Sequence, residues 1–125
     1  MDFPPDQTCC GQPAYNAGFH QEARRLALRV LRSFQDRQYV VVPSGSCAAM
    51  LRVFYPDLFK DDPIHHQQAV ALAAMVYEFS EFLVKVLGVT DVGASYPDTV
   101  TYHPGCHLVR ELGVLEEPCQ LLEKV

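Results

Sequence analysis

Near its N-terminus the chain reads Asp6-Gln-Thr-Cys-Cys-Gly-Gln-Pro-Ala-Tyr-Asn-Ala-Gly-Phe19. Consecutive side chains on an extended strand point to opposite faces, so Cys9 and Cys10 can aim both sulfurs at one centre only from a turn. Gly11 supplies the backbone freedom that such a turn needs, and Pro13 adds turn chemistry. Two thiols on a sharp bend suit a metal or redox centre. The plainer alternative is a pair of small buried residues, since free cysteine is among the most buried types.

The thiols matter more because the rest of the composition closes other routes. A formal net charge of -5 argues against a nucleic-acid partner, which needs a basic face to neutralise phosphates. The start, Met1-Asp-Phe-Pro-Pro, has neither the cationic nor the apolar part of a secretory leader. The longest apolar stretch, Ala69 to Val89, contains Glu78, Glu81 and Lys85, so direct membrane insertion is not expected. These features point to a cytoplasmic chain, where five cysteines favour metal or redox chemistry over a disulfide framework.

Read along its length, the chain alternates helical and strand-like segments. Asp2 to Thr8, with Pro4 and Pro5, allows at most an edge strand or a stub, and an upstream strand is expected to complete the fold. Over 16–37 the spacing of Phe19, Ala23, Leu26, Ala27, Val30 and Phe34 predicts a helix. Arg24, Arg25, Arg29 and Arg32 lie largely off that face, as a solvated surface or one that meets an acidic partner. Tyr39 to Val42 reads as a buried strand. Ser44-Gly45-Ser46 turns the chain, and Cys47 opens a helix over 48–54. The helix dipole there favours a thiolate, a usable metal ligand. A loop is expected over 55–62, then a helix from Pro63, capped by Asp62, to about Leu87, with Gly88 as its stop. His65 and His66 read as surface residues, because adjacent helical positions diverge and chelate poorly. Val89 to Asp98 reads as a linker, Thr99 to Tyr102 as a second strand, and 108–112 and the stretch from Glu116 as helices. Cys119 reads as a packing residue in the last of these.

One internal echo stands out. Val40-Val-Val-Pro-Ser-Gly-Ser-Cys47 and Val100-Thr-Tyr-His-Pro-Gly-Cys106 each run from strand through a glycine turn to a cysteine at a helix start. In open parallel sheets ligands gather beyond the carboxyl ends of the strands, where both cysteines would lie. The fold class expected is α/β, a short, mostly parallel sheet flanked by helices.

Thirty-six residues separate Cys10 from Cys47. This doublet, gap and helix-opening cysteine resemble the cysteine-rich CCG domain of iron–sulfur oxidoreductases. That family includes a subunit of heterodisulfide reductase and the iron–sulfur subunits of glycolate- and lactate-oxidising systems. Gln7-Thr-Cys-Cys-Gly-Gln-Pro-Ala14, Val42-Pro-Ser-Gly-Ser-Cys-Ala-Ala-Met50 and Tyr102-His-Pro-Gly-Cys-His107 resemble blocks of the lactate branch, in order. The family pattern is a lone cysteine, then CC-Gly, then a further cysteine, all repeated once. The resemblance therefore implies that Cys9, Cys10 and Cys47 close a first motif and that Cys106 opens a second. Met50 stands where a fuller Cys-x-x-Cys form has its second cysteine. The same resemblance implies an incomplete two-repeat protein, with residues 1–95 the C-terminal part of a first CCG domain and 96–125 the start of a second.

The function implied by the resemblance is that of an iron–sulfur electron-transfer subunit of a cytosolic L-lactate, or glycolate-type 2-hydroxy acid, oxidation complex, rather than a stand-alone enzyme with catalytic residues of its own. The cofactor implied is an iron–sulfur cluster of 4Fe–4S type on Cys9, Cys10, Cys47 and Cys106, absent from an isolated fragment if the missing strand is essential. Other iron–sulfur and lactate-utilization subunits are the implied partners, and homo-oligomerisation or strand swapping is open to the fragment. The residues leave other readings in place. Cys9, Cys10 and Cys47 with Cys106 or His107, and His103 as second choice, would suit structural zinc. The early dithiol could exchange with Cys47 without metal. An inert piece of a split gene is the last alternative.

Overall fold

In a computed structural model, described for residues 2–125, the turn at Gly11 leads straight into a short helix, α1 (Gln12–Asn16), with Pro13 in its first turn. Proline is tolerated there because its missing N–H would have no partner within the helix. Gly18, with φ at 82°, separates α1 from α2 (His20–Ser33). The one helix expected over 16–37 is thus confined to 20–33, and Phe19, expected on its apolar face, sits at the break and is 68% exposed. Elsewhere the periodicity holds. Ala23, Ala27 and Val30 are buried, while Arg25, Arg29 and Arg32 are exposed.

The strand β1 (Val40–Val42) is a run of β-branched side chains suited to a pleated surface. It pairs in parallel with β2 (Val76–Glu78), Val40 against Val76 and Val42 against Glu78. Parallel neighbours require a long crossover. Here α3 (Gly45–Ala49) runs through a π-helical turn at Met50–Phe54 into α4 (Tyr55–Leu58), and α5 (Pro63–Ala73) follows. The expected α/β class is the one adopted.

Several boundaries differ from those expected, each for a physical reason. The second helix starts at Gly45 and, instead of giving way to a loop after Phe54, continues to Leu58. Pro56 falls in the first turn of α4, directly after the wider π turn, where its missing N–H does least damage. The long helix expected to reach Leu87 stops at Ala73. Val76–Glu78 is strand, and only then come α6 (Phe79–Glu81) and a second π turn at Phe82–Val86. Pairing with β1 overrides a helical spacing of apolar residues that runs unbroken across the strand. Phe79, which continues that spacing, is nonetheless 48% exposed. Glu78 restarts the helix: its carboxylate accepts the N–H groups of Ser80 at 2.8 Å and Glu81 at 3.3 Å, and Glu81 Oε2 accepts the Glu78 N–H at 3.4 Å. Gly88, at φ 66°, ends it as expected.

Asp62 caps α5 through the His65 N–H, and its Oδ2 lies 2.6 Å from His65 Nδ1. His65 and His66 are partly buried, and the first packs on Phe59 rather than standing free at the surface. Thr99 to Tyr102 is not a strand; no neighbouring strand lies beside it among the described residues, and 91–101 is exposed throughout. α7 (Cys106–Arg110) begins two residues before the helix expected at 108–112, and α8 (Glu116–Leu122) closes the chain. Tyr55, Phe59, Met50, Val76 and Val114 are the largest fully buried side chains. Among the described residues, no helix is long and apolar enough to cross a membrane.

Candidate metal centre

Three elements converge on the cysteine turn. Gly11, at φ 85°, is in the left-handed region, and a Cβ there would lie 3.3 Å from Ala23 O and 3.4 Å from Ala23 Cα. Glycine is thus required both by backbone angle and by the close approach of α2. Beneath the turn, the buried Tyr55 hydroxyl donates to Cys10 O at 2.8 Å. Cys47, delivered by β1 to the first turn of α3, brings its sulfur to 3.2 Å from Cys10 Sγ. Cys9 is exposed, and its Sγ accepts the Gly11 N–H at 3.4 Å. Cys10 is buried and Cys47 partly so.

The second cysteine-bearing turn is placed differently. Cys106 is exposed at the start of α7, and with Gly105 and His107 it lines a cleft of about 240 Å³ opposite Ser44, Gly45 and Ser46. Gly45 allows that approach, because a Cβ on it would stand 2.8 Å from Leu108 Cβ. His107 packs edge-on against Phe54 at 6.0 Å between ring centroids, while His103 is exposed. Cys119 is partly buried in α8. Among the described residues, no set of three or more His, Cys, Asp or Glu is gathered as a metal-holding group. Cys10 and Cys47 are in contact with Cys9 beside them, whereas Cys106, His103 and His107 do not join them.

Comparison with known proteins gives this turn its context. Residues 1–52 match the CCG cysteine-rich domain, a span containing Cys9, Cys10, Gly11 and Cys47. Over these residues the chain is similar to the cysteine-rich CCG family. The whole chain is 52% identical to lactate utilization protein A of Oceanobacillus iheyensis, covering 51% of that protein. It is 54% identical to the protein of the same name from Geobacillus thermodenitrificans, over 52% of its length. It is 50% identical to that of Bacillus subtilis, again over 52%. In each case all of this chain is aligned, so it spans about half the length of the curated relatives it matches. No solved structure matches.

The electrostatics of this turn suit a bound cation. Burial pushes the Cys10 thiol up to about 12, with Cys47 and Cys9 adding to the rise and the Gln12 N–H opposing it. Tyr55 is likewise held well above the ordinary phenol value, first by burial and then by the three sulfurs. Positive charge entering beside the buried Cys10 sulfur would offset the cost of ionising it. The donor set therefore fits a soft metal or cluster. Its spacing is tight. Two thiolates on one tetrahedral ion with bonds of about 2.3 Å sit about 3.8 Å apart, so the Cys10 and Cys47 sulfurs would separate on binding.

The sequence alone singles out the cysteines and Gly11 but not Tyr55 or Gly45. Tyr55 lies in a segment that reads as loop because of Pro56, and nothing local marks it as the anchor of a turn 45 residues earlier. Gly45 reads only as a turn residue; its role is steric and depends on α7.

Proposed function

We propose that this chain is the cluster-bearing part of an iron–sulfur electron-transfer subunit in a system that oxidises L-lactate or a glycolate-type 2-hydroxy acid. The observation that carries the reading is the 3.2 Å approach of Cys10 and Cys47, 37 positions apart in sequence, with Cys9 adjacent. The names of the relatives, about twice the length of this chain, supply the substrate class. Cys9, Cys10 and Cys47 would hold the cluster, of 4Fe–4S type, and Cys106 would open a second motif, in keeping with residues 1–95 as part of one CCG unit and 96–125 as the start of another. When bound, the cluster supplies one-electron redox chemistry. This chain's own residues do the positioning. Gly11 bends the doublet against α2, Tyr55 fixes the Cys10 carbonyl, β1 delivers Cys47, and the core beneath keeps water from the inner sulfurs. Other iron–sulfur subunits of lactate utilization, in the cytoplasm, are the partners this role requires.

Protein made from the complete gene and purified without oxygen should be brown, with an iron-dependent EPR signal on reduction or oxidation. A colourless, iron-free preparation would overturn the reading. One observation favours a second possibility. The sulfur spacing is nearer to that of two ligands on a single ion than to ligands on two separate irons, which is the arrangement of structural zinc. Stoichiometric zinc, with no iron taken up on anaerobic reconstitution, would establish it.

A further inference from the structure

Although the chain carries a net charge of -5, α2 contains four arginines and a single acid, Glu22. Arg24 is used internally: it donates to Leu58 O at 2.8 Å, pairs with Asp62 at 3.2 Å and lies over the Phe59 ring. The other three fall four and three residues apart, so a helical repeat stacks Arg25, Arg29 and Arg32 in one stripe. All three are exposed, on the side of α2 opposite the buried Ala23 and Ala27. Arg25 is engaged by Glu22. Among the described residues, neither Arg29 nor Arg32 has a carboxylate within 4.0 Å. With Ser33 and Asp6 they line a cleft of about 390 Å³, in which Asp6 is the only acid among the described residues. Arg37, just past the helix, is already paired with Asp2 at 2.9 Å.

We propose that the Arg25–Arg29–Arg32 face of α2 is the docking surface for an acidic electron-carrier protein. The position of α2 sets the case apart from an ordinary solvated helix. Its inner face forms the wall behind the cysteine turn, with Ala23 Cα 3.4 Å from where a Gly11 side chain would begin. A protein seated on the arginines is therefore about one helix diameter, roughly 10–12 Å, from the turn that carries Cys9 and Cys10. Electron transfer falls steeply with distance, and a carrier docked here stays within range of that turn. Unpaired guanidiniums offer planar, multidentate donors for surface carboxylates and steer an acidic partner from a distance. The overall negative charge disfavours broad polyanions, which leaves a local, oriented protein contact.

The inference rests on the redox reading of the cysteine centre, and the experiment separates the two. Binding of a fluorescently labelled, acidic plant-type ferredoxin to the protein from the complete gene is measured by anisotropy at low ionic strength, with iron content determined on the same samples. The expected result is saturable binding that weakens about tenfold or more in R29E/R32E, weakens less in R29K/R32K, which keeps the charge without the planar fork, is retained in R110E, and fades as salt shortens the screening length. Circular dichroism melting confirms that the variants fold, and R29Q/R32Q provides a milder test with the same expected direction. No binding, equal loss in R110E, or indifference to R29E/R32E would overturn the proposal. So would anionic lipid vesicles captured as well as ferredoxin and lost through the same substitutions. Arginine-dependent ferredoxin binding by an iron-free protein would leave the surface standing and refute the redox reading. A loaded cluster with no arginine dependence would do the reverse.

Discussion

The chain contains two turns of nearly the same design, and they end in very different surroundings. The turn at Pro43–Cys47 follows a paired strand, enters a helix that runs on to Leu58, and meets the Gly11 bend, with Tyr55 hydrogen-bonded beneath it. The turn at His103–Cys106 follows exposed, irregular chain and starts a helix of five residues whose first cysteine faces solvent. A cysteine at a helix start does not by itself make a site. A sheet behind it, a second thiol in front and a buried anchor below do so for Cys47, and none of the three is present at Cys106 among the described residues.

The largest effect that would sharpen this contrast comes from the glycines. Gly11→Val places a branched side chain at φ 85° against Ala23 and should cost about 3 kcal/mol in urea unfolding. Gly105→Ala, with nothing within 4 Å of its Cβ, should change stability by less than about 0.5 kcal/mol. Equal costs would break the comparison. Next, Gly45→Ala pushes a methyl to 2.8 Å from Leu108 Cβ, and overpacking of this kind costs about 1–3 kcal/mol. It should also loosen α7, seen as faster alkylation of Cys106 with little change at Cys10.

Tyr55→Phe removes the donor to a buried carbonyl and should cost about 1–2 kcal/mol, against almost nothing for the exposed Tyr96→Phe. The smallest effect concerns the contact that ties α8 to the rest. Lys85 Nζ sits 2.6 Å from Glu117 Oε1 and 3.6 Å from Glu81 Oε1. Burial works to raise the Glu117 carboxyl, but the hydrogen bond and charge of Lys85 outweigh it and hold Glu117 below its ordinary value. Its contribution is therefore complete above the unfolded-state value of 4.5 and is lost as pH falls through the lower folded-state value. Lys85 is raised, chiefly by Glu117, so its contribution is complete below 10.5 and is lost as pH climbs through the higher folded-state value. Lys85→Met should flatten both limbs of the stability profile by less than about 1 kcal/mol, since the lysine is half exposed. An unchanged acid limb would show that the pair does not hold α8.

How much of this is legible in the sequence depends on which signals are local. The buried face of α2, the valine strand and the placement of Cys47 at a helix start rest on periodicity, β-branching and turn residues within a few positions. β2 escapes because Leu72, Ala73, Val76 and Phe79 keep a helical spacing through it; only pairing with β1 makes Val76–Glu78 extended, and that lies outside any local window. Glu78 three residues before Glu81 is the available clue, a reciprocal cap in the middle of an apolar run. Conversely, Val100 and Thr101 have strand chemistry but, among the described residues, no strand to pair with, and stay irregular. The cysteine turn is legible as chemistry, while its buried anchor Tyr55 is not, because the partners are distant in sequence and the signal is purely steric and polar.

The most direct test of the central claim is iron and acid-labile sulfide per chain in anaerobically purified protein from the complete gene, compared with Cys47→Ser and Cys119→Ser. Iron with matching sulfide, largely lost in Cys47→Ser and kept in Cys119→Ser, is the predicted result. Iron and sulfide that survive Cys47→Ser, or their absence from the parent protein, would contradict it.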